Sequence, residues 1–330
     1  MVTSMKPTVV CVLPREAFSP DIILKLTEAA DVKFGPYDKV RFLQDVADAT
    51  AIILDQYPGC MVLDEEVLRA AHKLKGVSIH GAGYDIIDVE ACTLRKIYVA
   101  NAPVLAAAVA DLVVAFMLCL SRNVLKADSF VRNEWATATQ PFPLGKELYM
   151  KTLGIIGLGR IGFNVAKRAY AFDMKILYND LIRNREAEKS FNAQSVTLEE
   201  LLRQSDFVSV NVPLTDENRL MIGEKELSLM KRTAYLINTS RGSVVDQKAL
   251  TKALHENRIA GAGLDVFSTE PASVNDPILQ FDSVVLTPHI GGVTVERVRR
   301  VDVTAVDNVL SILRGERPDN VVVEQKGLTF

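Results

Sequence analysis

Three side chains of different chemistry follow apolar runs in the last third of the chain. Arg241 comes after "AYLINTS", Glu270 after "GAGLDVFST" and His289 after "VVLTP". Each run reads as a strand, and in open α/β sheets ligands gather at the carboxyl ends of strands. Arginine can fork onto a carboxylate with two parallel hydrogen bonds. Histidine can give a proton to an oxygen and take it back. A glutamate beside it favours the imidazolium, so Glu270 is expected to keep His289 charged near neutral pH. Reducing a 2-keto acid needs an anchor for the carboxylate, a proton for the ketone oxygen and a hydride. Of the four histidines, His72 and His255 sit on helical stretches with polar neighbours and read as surface. His80, before "GAG", could line a crevice, although a structural role explains it as well.

A hydride donor is suggested upstream, by "GLGRIG" at 157–162. Alone that string is weak, but here an apolar run, "TLGII", precedes it and a helical pattern follows. Gly157 permits a tight turn, Gly159 lets the backbone approach a pyrophosphate, and Gly162 lets the helix pack closely. The first N–H groups and the dipole of that helix would face the phosphates. Its core-facing row is expected at Ile161, Val165, Ala169 and Phe172. The next strand, "KILYND", ends in Asp180, placed to accept hydrogen bonds from an adenosine ribose, which favours NAD(H). Arg183 and Arg185 leave NADP(H) open, because a nearby arginine can hold a 2′-phosphate. Metal chemistry is not expected: there is no HExxH, no Cys/His ligand cluster and no Walker-type loop.

These groups need two sets of strands to position them. Residues 1–104 alternate strand and helix through "TVVCVLP", "AIILD", "GVSIHGAG" and "IYVANAP". Ser19 is expected to cap the helix that Pro20 opens, and "DEEVLRAAHKL" reads as another helix with acidic residues in its first turn. A second series begins at 151, and "TLEELLRQS" within it opens with a capping box from Thr197 to Glu200. The amphipathic stretch after 294 crosses back to the first series, and "RVRR" at 297–300 reads as its polar face. The expected architecture is α/β. Two Rossmann-like or flavodoxin-like parallel-sheet domains are expected, with the cofactor domain, 105–294, inserted into a substrate domain made of 1–104 and 295–330. A substrate would meet the cofactor in the crevice between them.

Composition agrees with a globular protein: 330 residues, 48% hydrophobic and 24% charged. A formal net charge of −3 gives no electrostatic case for nucleic acid or an anionic membrane. Cys11, Cys60, Cys92 and Cys119 show no CxxC spacing and suggest free thiols in a reducing cytoplasm. The N-terminal "MVTSMKPTVVCVLP" lacks the apolar region of a signal peptide. "VLAAAVADLVVAFMLCL" at 104–120 is short for a membrane span and carries Asp111. It reads as a helix buried between domains or subunits.

The segments "GAGYDIIDVEA", "YVANAP", "TLGIIGLGRIG", "DFVSVNVPLT", "LINTSRGSVVD", "AGLDVFSTEP" and "LTPHIGG" together resemble the D-isomer-specific 2-hydroxyacid dehydrogenase family, in its order and spacing. The resemblance runs over most of the chain. It implies Arg241, Glu270 and His289 as the catalytic set, and backbone amides around Ala82 and Gly83 as further holders of the substrate carboxylate. It implies that Asp265 contacts the nicotinamide carboxamide and that Arg160 and Ile161 lie along the pyrophosphate. Val212, Pro213, Thr239 and Gly291 would complete the cofactor contacts. A homodimer joined through the cofactor domain is implied as well.

"GAGYD" and "ILYND…REAEK" look most like the glyoxylate/hydroxypyruvate reductases of the family. A phosphoglycerate dehydrogenase is less expected than these, because the sequence ends soon after "RPDNVV" and many of those enzymes carry extra regulatory domains, although shorter versions exist. Glu270 argues against a formate dehydrogenase, which has glutamine there. Two departures stand out: "AAVAD", with Ala108 and Asp111, replaces a polar residue followed by V-A-E, and Met150 replaces a common glycine. A dinucleotide-sensing binding protein of the corepressor type, or a phosphite-type dehydrogenase, shares the fold and the triad and stays open as an alternative.

Overall fold

The structure is a computed structural model that describes residues 6–55, 61–104 and 106–330. Cys60, the first five residues of the N-terminal stretch and Leu105 lie outside the described residues. The chain divides into two compact units, Met1–Leu105 with Val293–Phe330, and Ala106–Gly292.

The N-terminal part of the first unit alternates β1 (Thr8–Cys11), α1 (Pro20–Ala29), β2 (Asp31–Phe34), α2 (Lys39–Val46), β3 (Ala49–Asp55), α3 (Glu65–Ala70), β4 (Gly76–His80), α4 (Val89–Leu94) and β5 (Tyr98–Ala100). All strand pairs are parallel, in the order β2-β1-β3-β4-β5. β3 and β4 are buried along nearly their whole length, as a sheet covered on both faces requires. Two elements between β1 and β3 escaped the sequence reading. β2 is an edge strand with no apolar run, and α2 buries only Phe42 and Val46, one helical turn apart.

Two local expectations fail here. Ser19 stands at the N-cap of α1, but its hydroxyl donates to Asp21 Oδ1 at 2.6 Å and caps no backbone amide. His72 is exposed as expected, but it lies in a turn beyond α3, which ends at Ala70.

The second unit opens with α5 (Ala106–Arg122) and α6 (Val124–Asn133). There follow β6 (Thr152–Ile156), α7 (Arg160–Ala171), β7 (Lys175–Asn179), α8 (Arg185–Phe191), β8 (Gln194–Ser195) and α9 (Leu198–Gln204). β9 (Phe207–Val210), α10 (Glu224–Leu229), β10 (Tyr235–Asn238), α11 (Gln247–His255), β11 (Gly261–Leu264) and β12 (Val284–Leu286) complete it. Its seven strands are parallel, in the order β12-β11-β10-β9-β6-β7-β8. The order reverses between β6 and β9, the switch point at which such sheets bind ligands.

The capping box is present: Thr197 Oγ1 accepts from the Glu200 amide, and Glu200 Oε2 accepts from the Thr197 amide. In α7 the buried face is Gly162, Val165, Ala166 and Ala169. Phe172, expected in that row, is the C-cap residue and 38% exposed, because the helix ends before its ring can turn inward.

α5 contains most of the apolar run at 104–120. Its buried stripe, Val109, Val113, Phe116 and Leu120 among them, faces α7 and strands β10–β12 of its own unit. A spacing of about one turn makes that face of α5 part of the second unit's own core. Asp111, on the outer side, receives the Arg168 guanidinium of α7 at 2.6 Å. Among the described residues no single helix is long and apolar enough to cross a membrane.

α12 (Val295–Leu313) returns to the first unit and packs on α1, β3, β4 and β5. The "RVRR" segment at its start is not wholly a polar face. Arg297 is 2% exposed, because the stripe that buries Val301, Ala305 and Val309 begins with it. The same stripe carries Asp302, whose Oδ1 lies 2.6 Å from His80 Nε2, and Asn308, whose Nδ2 donates to the Asn101 carbonyl at 3.1 Å. His80 is therefore buried and hydrogen-bonded to Asp302 within the first unit.

Candidate active site

The glycine turn joins β6 to α7, and its geometry requires glycine at Gly157 and Gly162. Gly157 has φ +86°, a conformation L side chains rarely adopt, and a Cβ there would meet Val212 Cγ1 at 2.7 Å. A Cβ on Gly162 would lie 2.2 Å from the Gly157 carbonyl oxygen, so only glycine lets α7 approach the turn. A Cβ on Gly159 would meet nothing within 4 Å. Open space therefore faces the turn where α7 begins, and the first amides of that helix have no partners within it.

Val212 and Pro213 follow β9, the strand across the switch point. Thr239, beyond β10, is buried, and its Oγ1 has no hydrogen-bond partner. An unpaired buried hydroxyl costs stability unless something satisfies it. A dinucleotide fits this edge: the turn offers backbone and space, and Thr239 offers an unused polar atom. Arg160 is exposed and Ile161 half-buried at the start of α7. Asp180 follows β7 and accepts from the Leu158 amide at 2.6 Å and the Ile182 amide at 3.1 Å, which ties the acid to the glycine turn.

Farther along the same sheet edge the structure brings Glu270 and His289 together. His289 Nδ1 lies 2.7 Å from Glu270 Oε2, and Glu270 Oε1 accepts from the Phe267 amide at 3.0 Å. Burial pushes the Glu270 carboxyl up, but the hydrogen bonds from His289 and Phe267 and the charges of His289 and Arg241 outweigh it. The net effect holds Glu270 below its usual value of 4.5. A depressed carboxyl contributes stability that is present above the unfolded value and lost as pH falls through the folded one. Glu270 is thus ionised across the neutral range, on the ring nitrogen where it can accept.

Arg241 opens a short 3-10 turn, Gly242–Val244, after β10. Its Nη1 donates to the Ser240 carbonyl at 2.9 Å, and its own carbonyl accepts from Asn238 Nδ2 at 2.9 Å. A Cβ on Gly242 would fall 1.8 Å from the Phe267 carbonyl oxygen, so the Arg241 turn rests directly on the loop that carries Glu270.

The backbone of His289 is left-handed, with φ +57°. Such a conformation costs a non-glycine residue about 1–3 kcal/mol and persists only where its surroundings over-determine it. Asp265, beyond β11, supplies those surroundings. Its carbonyl accepts from the His289 amide at 2.8 Å. Its carboxylate accepts from the Ile290 and Gly291 amides, each at 2.7 Å, and from Thr287 Oγ1 at 2.5 Å. Burial pushes the Asp265 carboxyl up, and these donors pull it only part of the way back. Both of its oxygens are engaged within the chain. Asp265 is therefore the post that orients the histidine loop, a role hidden in the sequence because its partners are mostly backbone amides.

Ala82 and Gly83 belong to the first unit, in the turn after β4. The Gly81 carbonyl accepts from the Ala102 amide at 2.7 Å, and the Ala82 carbonyl from Asn101 Nδ2 at 2.6 Å. In a trans peptide the N–H points opposite to the carbonyl. Fixing these two carbonyls therefore fixes the directions of the Ala82 and Gly83 N–H groups. Asn101 and Asn238 were not singled out in the sequence. Their only signal is a polar residue in or just after an apolar strand, where nothing apolar was lost to solvent. Among the described residues no cluster of three or more His, Cys, Asp or Glu side chains could hold a metal ion.

Known proteins share this sequence pattern and fold. Residues 114–291 match the model of the D-isomer specific 2-hydroxyacid dehydrogenase NAD binding domain. A glyoxylate reductase from Korarchaeum cryptofilum is 49% identical over 266 residues, 80% of each chain. The crystal structure of a glyoxylate reductase from Paecilomyes thermophila superposes with a TM-score of 0.88 at 32% identity, covering 97% of this chain and 99% of that one. Two further structures differ in cofactor. A D-lactate dehydrogenase from Aquifex aeolicus, complexed with NAD and lactic acid, has a TM-score of 0.85 at 30% identity over 96% and 99% of the chains. An NADPH-dependent glyoxylate/hydroxypyruvate reductase from Sinorhizobium meliloti, with NADP and malonate, has 0.85 at 29% identity over 97% of each. With its glycine turn, its histidine–glutamate pair and these relatives, the chain belongs to the D-isomer specific 2-hydroxyacid dehydrogenase family.

Proposed function

We propose that the protein reduces a small 2-keto acid of the glyoxylate or hydroxypyruvate type to the D-2-hydroxy acid, with NADH as the favoured cofactor. The observation that carries the reading is the 2.7 Å contact between His289 Nδ1 and Glu270, on the sheet edge that also carries the glycine turn and Arg241. When bound, the nicotinamide supplies the hydride that the carbonyl carbon accepts. The cofactor contacts are assigned to Gly157, Gly159, Arg160, Ile161, Gly162, Asp180, Val212, Pro213, Thr239 and Gly291, with Asp265 beside them.

The chain's own residues do the rest. Nδ1 of His289 is committed to Glu270, which assigns proton delivery to Nε2. That proton goes to the carbonyl oxygen as the carbon is reduced, and in the oxidation direction Nε2 takes it back. Glu270 orients the ring and balances the imidazolium charge. Arg241 forks onto the substrate carboxylate and polarises the carbonyl. The Ala82 and Gly83 amides are assigned to the same carboxylate.

Exposed Val124, Leu125, Val131, Trp135 and Leu144, on α6 and the segment after it, support a homodimer formed through the second unit. The free thiols of Cys11, Cys92 and Cys119 support a reducing, cytoplasmic setting.

The test is NADH oxidation measured against glyoxylate, hydroxypyruvate, pyruvate, phenylpyruvate and phosphohydroxypyruvate. The expected result is highest kcat/KM for glyoxylate or hydroxypyruvate. Tight NADH binding with no turnover of any of them would instead mark a dinucleotide-sensing protein.

A further inference from the structure

We infer that Glu188 biases the enzyme toward NADH by engaging Arg183, the cation that could otherwise take a 2′-phosphate. The inference rests on the assignment of Asp180 to the adenosine ribose. Asp180 is exposed at the end of β7, and two backbone amides already orient its carboxylate. Arg183 lies three residues farther on. Its Nε donates to Glu188 Oε1 at 2.6 Å. The same oxygen accepts from the Tyr178 hydroxyl at 2.7 Å, and that hydroxyl accepts from the Asn184 amide at 3.0 Å. Asn184 in turn donates through Nδ2 to the Leu158 carbonyl at 3.1 Å, inside the glycine turn, and its Oδ1 caps α8 by accepting from Ala187 at 3.0 Å.

The cluster has a fixed end and a loose end. Glu188 is half-buried and anchored by Tyr178, while Arg183 is mostly exposed. The hydrogen bonds from Arg183 and Tyr178 also hold the Glu188 carboxyl below its usual range, so it stays charged. A 2′-phosphate brought to Asp180 would meet one carboxylate directly and a second on α8. The arginine that could offset them is spent on the second. An exposed ion pair is individually weak, so the device is a bias and not a lock. Arg185, the first residue of α8, is the other cation nearby, and the test separates the two.

Glu188→Gln keeps an oxygen for Tyr178 and removes the charge. Dissociation constants and kcat/KM for NADH and NADPH are measured for the wild type, Glu188→Gln, and Glu188→Gln with Arg183→Ala. The NADPH-to-NADH ratio is expected to rise on the order of tenfold in Glu188→Gln, about 1.4 kcal/mol. It should return to the wild-type value when Arg183 is also removed. An unchanged ratio in Glu188→Gln, or a gain that survives loss of Arg183, overturns the inference while leaving the NADH assignment intact. A wild type that prefers NADPH overturns both.

Discussion

Replacement of His289 by asparagine is expected to lower kcat for keto-acid reduction by about 10²–10⁴-fold, the range for losing a positioned general acid. Asparagine is the informative choice because it tolerates the left-handed backbone that residue 289 adopts. The Asp265 scaffold can then stay in place: its bonds to the Ile290 and Gly291 amides do not involve the imidazole. NADH affinity should change by less than about threefold, since the glycine turn and Thr239 are untouched, and KM for the keto acid should move little. A variant that retains wild-type kcat would remove His289 from the chemistry. One that loses NADH binding as well would make the residue structural.

Arg241→Lys is expected to lower kcat/KM for the keto acid by about 10²–10³-fold, as loss of an aligned donor at the reacting group does. Lysine keeps the charge and gives up the planar fork, so the loss measures geometry and not charge. Its signature differs from that of His289→Asn. An anchor works in the ground state and the transition state alike, so its loss should raise KM, while the lost polarisation of the carbonyl lowers kcat. The turn should survive the exchange, because Asn238 holds residue 241 through its carbonyl and Gly242 holds the turn against Phe267. An unchanged KM would mean that the substrate carboxylate is held elsewhere.

How far these groups could be read from sequence follows from what holds them. Arg241, Glu270 and His289 were legible because each follows an apolar run, and a strand end is where a polar side chain meets a ligand. The glycine turn was legible because its three tasks need no side chain. The supporting shell was not. Asp265 and Asn238 act on backbone groups that pattern cannot reveal. Asn101 and the Ala102 amide each set one peptide plane from the neighbouring strand's end. The edge strands β2 and β8 carry no continuous apolar run, since edges are half-solvated and short. Arg297 looked like one surface charge among three, although its place on the buried stripe of α12 takes it into the first unit's core.

The measurement closest to the central claim is the pH profile of kcat/KM for glyoxylate, wild type against Glu270→Gln. Against the effect of burial, the hydrogen bonds from His289 and Phe267 hold the Glu270 carboxyl below its usual value of 4.5, so the paired carboxylate stays ionised to lower pH than a free glutamate. The wild-type rate should therefore fall on the acid side only below that value, as Glu270 takes up a proton and releases the ring. Glu270→Gln cannot titrate, so its profile should lack that acid limb, and its kcat/KM at neutral pH should be lower by about tenfold or more, as loss of a hydrogen bond to a charged group implies. A neutral-pH rate equal to the wild type, or an acid limb that survives the substitution, would contradict the pairing of Glu270 with a proton-donating His289.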